Sequence, residues 1–116
     1  MNDQNAPISK TWRTKVAAIL WEGQAGRVFI RQRARRDWAS LTSCPFDFAL
    51  REVIADALDD EGLIGKKHEM DEPGETCGFI FHFRNLAIYA KVNLTTPEEV
   101  VIVYSAHRPL KGEELL

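Results

Sequence analysis

The hydrophobic period of this 116-residue chain changes once, from helical in the first half to alternating in the second. That switch constrains the fold most, because a stripe of period 3.6 must lie against a neighbour whereas a period of two lines one face of a sheet. Trp12, Val16, Ile19 and Leu20 recur at helical spacing, Ser9 stands where a hydroxyl can cap the first turn, and Gly23 supplies a stop. Another helix is predicted over residues 45–60, where Pro45 fits the first turn and Phe46, Ala49, Leu50, Val53, Ile54, Ala57 and Leu58 repeat on one face. The intervening stretch, residues 27–41, reads two ways. Val28, Phe29 and Ile30 could open a strand, while Ile30, Ala34, Trp38 and Leu41 lie at helical offsets; a short extended piece followed by a helical turn over 35–40 is favoured.

Alternation begins beyond Gly62 and Gly65. Residues 78–83 and 86–94 read as two strands joined by the two-residue turn Arg84 and Asn85. Residues 95–99, with Pro97, make the next turn, and the β-branched run 100–105 is a third strand; a further strand is possible over 65–70, before a turn at Pro73 and Gly74. The chain therefore predicts an α+β fold, with N-terminal helices packed on one face of a C-terminal three- to four-stranded antiparallel sheet. Residues 1–9 are polar and aperiodic and read as a flexible lead-in, leaving 10–116 as a single domain.

At 45% hydrophobic and 28% charged residues, composition disfavours disorder and coiled coil. No apolar run approaches the roughly 18 residues of a membrane span, and the N-terminus shows no secretory signal, so a cytoplasmic location is expected. Cys44 and Cys77 follow no recognisable pattern and fit free thiols. The net charge of -2 conceals an asymmetry: residues 10–36 carry eight basic side chains against Glu22 alone, and residues 47–75 carry ten acids against Arg51, Lys66 and Lys67. Two solvated faces would explain this; so would a basic surface for nucleic acid or an acidic partner, to which Arg31 and Arg35 would contribute.

Three histidines and two cysteines invite metal binding, yet His68, His82, His107, Cys44 and Cys77 make no CxxC, HxxxH or HExxH, and no metal or cofactor is expected. Cys44 could be a nucleophile at a helix start or, more simply, a small capping residue. GxGxxG, GxxxxGK and GxSxG are all absent. What remains is basic and aromatic. Tyr89 and Lys91 share a face at i, i+2, as do His82 and Arg84, while His107 and Arg108 end the last strand and Lys66 and Lys67 precede the sheet. Such a set suits cleavage of RNA without metal: a base for the 2′-hydroxyl, an acid for the departing 5′-oxygen, and cations for the phosphorane, each worth ~2–4 kcal/mol in the transition state. A wet sheet face with Tyr89 half-buried at its edge would use the same residues without chemistry.

The stretch IYAKVNLTTPEEVVIVYSAHR, residues 88–108, resembles the C-terminal hairpin of the motility quorum-sensing regulator toxins (MqsR), with tyrosine and lysine on one strand and a β-branched strand ending in Ser-x-basic. Upstream, ARRDWASLTSCPFDFALREVIADAL is similar to their Ala-x-x-Asp segment, Leu-containing turn and amphipathic helix, and the order of elements resembles the wider RelE-like ribonuclease toxins. The resemblance implies a RelE-like fold and a catalytic set of Tyr89, His107 and Lys66 or Lys67; the charge pattern and strand spacing add Arg84, Lys91, Arg108, Arg31 and Arg35 as the residues expected on the RNA. Histidine at 107 replaces the family's lysine, its glutamine has no nearer counterpart than Glu75, and the acidic total departs from usually basic toxins.

Two functions are thus expected. One is a metal-independent endoribonuclease toxin cleaving mRNA, with RNA and an antitoxin protein as partners. The alternative is a small non-enzymatic interaction or inhibitor module of phage defence or anti-defence, favoured by the acidic helix. A third use, an RNA-binding platform of Phe79, Phe81 and Phe83, competes with their role as a core-facing strand.

Overall fold

A computed structural model describes residues 5–113 as one six-stranded sheet and three helices. In chain order these are β1 (Ala6–Pro7), α1 (Lys10–Glu22), β2 (Val28–Ile30), α2 (Gln32–Thr42), α3 (Asp47–Ala57), β3 (Ile64–His68), β4 (Gly74–Phe83), β5 (Leu86–Thr95) and β6 (Val101–His107). The sheet order is β1-β3-β4-β5-β6-β2, antiparallel throughout except that β2 runs parallel to β6.

The α+β class matches expectation, while the sheet is larger than the three or four strands predicted and β1 and β2 stand before and between the helices. Its two extra strands are both at edges. Ala6 and Pro7 pair with Gly65 and Ile64, so the polar lead-in joins the fold from Ala6 onward, and Ile8 is 7% exposed; the earlier part of that segment, residues 1–4, lies outside the described residues. Val28, Phe29 and Ile30 pair with Val101, Ile102 and Val103, an edge position that a three-residue run can fill only because β6 supplies the partner groups.

α1 has the predicted bounds. Ser9 Oγ accepts from the Trp12 amide at 3.4 Å, and Gly23 closes the helix at φ 61. α2 is a full eleven residues rather than one turn, because Ala34 and Trp38 are both buried against the sheet. α3 starts two residues after Pro45 and ends at Ala57, burying Leu50 and Ile54. β4 begins at Gly74, four residues before its predicted start.

Alternation assigns the two faces. On one, Cys77, Phe79 and Phe81 of β4, Ile88, Ala90 and Val92 of β5 and Val101 and Val103 of β6 join Trp12, Val16, Leu20, Trp38, Leu50 and Ile54 of the helices in a single core. Phe79 and Phe81 are therefore core residues, not a nucleic-acid platform. The other face carries no helix among the described residues. A bulge between Lys91 and Val92 turns Tyr104 and Ser105 toward it together, alongside Tyr89, Lys91, Asn93 and His107. No described helix is long and apolar enough to cross a membrane.

Candidate active site on the helix-free sheet face

Tyr89 stands at the centre of this face, on an inner strand rather than at an edge, and is 1% exposed. Its Oη lies 3.1 Å from His68 Nε2, and its ring lies 5.6 Å from that of His107 at an interplanar angle of 30°. Strand pairing explains both contacts. Tyr89 is directly opposite His107 across the β5–β6 pair, while on its other side it leans over β4 toward β3, where His68 points to the same face. The phenol has room because residue 78 is glycine: a Cβ there would stand 2.2 Å from Tyr89 Oη and 2.9 Å from His68 Nε2.

Burial, with the Glu113 carboxylate adding to it, pushes the Tyr89 phenol up to about 12. At neutral pH it is a neutral hydroxyl, fit to hold and orient an imidazole and unfit to act as a ready base. His107 is differently placed. Its Nδ1 lies 2.7 Å from the Arg108 carbonyl oxygen, and since a carbonyl can only accept, Nδ1 carries a proton. In the neutral ring that leaves the lone pair on Nε2. The Glu113 carboxylate stands 3.9 Å from the same Nδ1, and a turn closed by the Glu113 amide on the Leu110 carbonyl brings it there.

His107 also opens onto solvent. An open groove between α2 and the end of β6 is lined by Arg33, Asp37, Ser40, His107, Arg108 and Leu110. The imidazole thus has the buried phenol on one side and a groove bearing two guanidinium groups on the other.

Of the remaining residues expected from sequence, Lys91 lies two residues along β5 from Tyr89 and Lys66 two residues before His68, so both share the face. Lys67 does not. It is opposite Cys77 on the helix side and lies 3.4 Å from Glu75, so of the two lysines only Lys66 shares the face of Tyr89 and His68. Arg84 also turns away, its guanidinium 4.8 Å from the centre of Phe83, a ring tilted against Trp38. Arg108 leaves β6 beside the β4–β5 turn, lining a second small depression with Asn85 and Ala87.

Arg31 reaches the helix-free face at its other end. It bonds Glu72 at 2.8 Å and lies 5.6 Å from the centre of the Tyr104 ring, whose hydroxyl donates to the same carboxylate. That phenol donor, ahead of the arginine, holds Glu72 below the usual carboxylate range. Arg35 is bound to Asp47 at 2.9 Å on the helical side. Lys15 pairs with Glu99, and Arg13, 7% exposed, donates to the carbonyls of Ile8 and Leu58. Much of the basic run is thereby neutralised within the fold, and the cations facing the His107 groove are Arg33 and Arg108.

His68 and Arg33 were not singled out for this site from sequence. His68 had a signal, its i, i+2 spacing from Lys66 on an alternating strand; Arg33 had none, because its place depends on how α2 lies beside β6. Set against protein-family models, curated proteins and solved structures, the chain matches none.

Proposed function

We propose that the chain is a metal-independent endoribonuclease acting on mRNA as the toxin of a toxin-antitoxin pair, built on a RelE-like plan. The observation that carries this reading is His107: an imidazole with its lone pair on Nε2, backed by the buried Tyr89 phenol and open to a groove holding Arg33 and Arg108. Histidine there is consistent with the chemistry, being the side chain that exchanges protons near neutral pH.

In the proposed reaction His107 Nε2 takes the proton of a ribose 2′-hydroxyl. The freed oxygen attacks the adjacent phosphorus, the bond to the 5′-oxygen breaks, and that oxygen takes a proton from an ammonium group of the same face, Lys66 or Lys91. The products are a 2′,3′-cyclic phosphate and a 5′-hydroxyl. Arg33 and Arg108 neutralise the charge that builds on the phosphorane, for which the forked guanidinium is suited. Tyr89 is a positioning residue rather than the base, since its hydroxyl is buried and its ionisation is displaced far above neutrality.

Incubation of the purified chain with mRNA in the presence of a chelator tests the reading. Fragments ending in 2′,3′-cyclic phosphate, lost in His107→Gln with the melting temperature preserved, are the expected result. Intact RNA, or cleavage that survives His107→Gln, overturns it. A neighbouring reading frame whose product restores growth to cells expressing the chain would identify the antitoxin and complete the cytoplasmic pair.

A further inference from the structure

Across β4, β5 and β6, Thr76, Asn93 and Ile102 stand in register on the helix-free face. All three are buried, Asn93 completely, although no described helix lies over them. What crosses there is the Glu72 side chain. It leaves the backbone just before β4 and spans β5 to reach Tyr104 of β6 and Arg31, the residue ahead of α2.

Asn93 is the unexplained group beneath it. Neither Nδ2 nor Oδ1 has a hydrogen-bond partner among the described residues. A buried amide left in that state costs folding free energy, and an apolar side chain of the same shape would cost less. The amide stands close to the donors that hold Glu72: burial, then Glu72 itself, raise the Tyr104 phenol above its ordinary value, and Asn93 pulls it the other way. Three donors therefore converge from three elements, Arg31 ahead of α2, Tyr104 on β6 and Asn93 on β5. The Arg31 guanidinium donates to Glu72 Oε2 at 2.8 Å and the Tyr104 hydroxyl to Oε1, which leaves Asn93 Nδ2 unused.

Guanidinium, phenol and amide are donor types that hold phosphate oxygens in nucleic-acid complexes. A planar carboxylate presents two oxygens, whereas a tetrahedral phosphodiester can meet donors that do not share a plane. Glu72 is also displaceable. Its pair with Arg31 is 48% and 37% exposed, and ion pairs in such positions hold weakly. The place is suitable too: Tyr104 lies three residues before His107, about 10 Å along β6, and Arg31 lies two before Arg33 of the His107 groove. A strand bound at His107 can run past both.

We propose that Arg31, Tyr104 and Asn93 form a cradle for a backbone phosphate of single-stranded RNA, which the Glu72 carboxylate occupies in the free protein and the incoming phosphate takes over. The choice of RNA as the polymer rests on the ribonuclease reading; the cradle itself rests on the three converging donors. Glu72 is then an autoinhibitory contact, and the cost of the unpaired Asn93 amide is recovered when RNA binds.

Fluorescence polarisation of the full chain with a labelled 2′-O-methyl oligoribonucleotide is the test, since a blocked 2′-hydroxyl separates binding from cleavage. Glu72→Gln should bind about threefold tighter or more, with the slope of log affinity against log salt steeper by about 0.7. Asp71→Asn, which removes a charge from the same segment, should bind as the parent does. Arg31→Gln should cost more affinity in the Glu72→Gln background than in the parent. Asn93→Leu should melt no lower than the parent yet bind RNA several-fold more weakly, and the Asn93 side-chain amide resonance should shift when RNA is added to the parent. Equal affinity of Glu72→Gln and the parent, the same gain from Asp71→Asn, or an Asn93→Leu chain that melts lower with its affinity intact would each overturn the proposal. So would tight binding of inorganic phosphate with RNA affinity indifferent to Arg31, or no binding of the probe by any of these proteins. Cleavage of mRNA without a gain in Glu72→Gln fails this inference alone; RNA bound as expected but never cut fails the ribonuclease reading alone and supports the cradle.

Discussion

Gly78→Ala is the most direct probe of the Tyr89 cluster. The new methyl would stand 2.2 Å from Tyr89 Oη, 2.8 Å from Cζ and 2.9 Å from His68 Nε2, so either the phenol retreats by about 1 Å to reach ordinary contact or β4 bows away from it. The phenol has little freedom to retreat, being 1% exposed with the His107 ring against it. Forcing an extra carbon into such a site costs about 1–3 kcal/mol, which for a chain of this length lowers Tm by roughly 5–15 °C. Tyr89→Phe removes the nearest atom but leaves the ring carbon, so relief should be partial: in the Gly78→Ala background it should cost measurably less than alone, a coupling on the order of 1 kcal/mol. Urea denaturation of the four proteins measures this, and cleavage by Gly78→Ala should fall with the tilt imposed on His107. A Gly78→Ala protein as stable as the parent, or strictly additive double-variant energies, would refute the argument that Gly78 exists to seat the phenol.

Truncating buried Ile54 to alanine should destabilise by ~2–5 kcal/mol in the same assay, because the side chain is fully enclosed in the core. Ser9→Ala should cost only about 0.5–1 kcal/mol, the Trp12 amide being 3.4 Å from the hydroxyl. The Tyr89 phenol, raised from 10.0 to about 12, binds its proton more tightly folded than unfolded, so its contribution is complete below pH 10 and falls as pH rises toward 12, by up to about 2 kcal/mol. Denaturation midpoints between those pH values should decline less steeply in Tyr89→Phe. Glu72 and Glu99, both held below the usual carboxylate range, act in the opposite sense: their contribution is present at neutral pH and disappears as pH falls through that range, which Glu72→Gln should blunt in an acid titration. Charge reversal at Arg33 and Arg108 should weaken RNA binding and flatten its salt dependence, whereas reversal at Arg35, already paired with Asp47, should chiefly affect stability.

Local signals were readable where the physics is local. Ser9 and Gly23 bound α1 because caps act within one turn, and Arg84 with Asn85 marks the β4–β5 hairpin because a two-residue loop needs φ values that few residues tolerate. What sequence could not supply was partnership at a distance. Val28, Phe29 and Ile30 form a strand only because β6 offers an edge more than 70 residues later, and Ala6 and Pro7 likewise depend on β3. α2 extends past its expected single turn for the same reason: Trp38 earns its burial from Phe83, 5.0 Å away between ring centres. Gly74, whose pairing with Pro73 signals a turn, also opens β4, its φ of 141 fitting a position that Leu94 and Asn93 crowd.

The site divides along the same line. Period-two spacing put Tyr89 beside Lys91 correctly, and it equally decides between Lys66 and Lys67, since neighbours on a strand face opposite ways and only Lys66 lies in phase with His68. Burial could not be read this way. Nothing in the sequence distinguishes a tyrosine on a wet face from one sealed between two imidazoles, and that difference reassigns the chemistry: an exposed phenol could compete for a proton, whereas Tyr89, with its ionisation near 12, can only hold His107 and His68 in register. In the proposed reaction the proton transfer then falls to an imidazole, and of the two partners of Tyr89 it is His107 that also faces the groove of Arg33 and Arg108. If His68→Gln were to abolish cleavage as completely as His107→Gln while Tyr89→Phe left the rate untouched, the phenol would not be the link between them, and the order of roles argued for this face would have to be reversed.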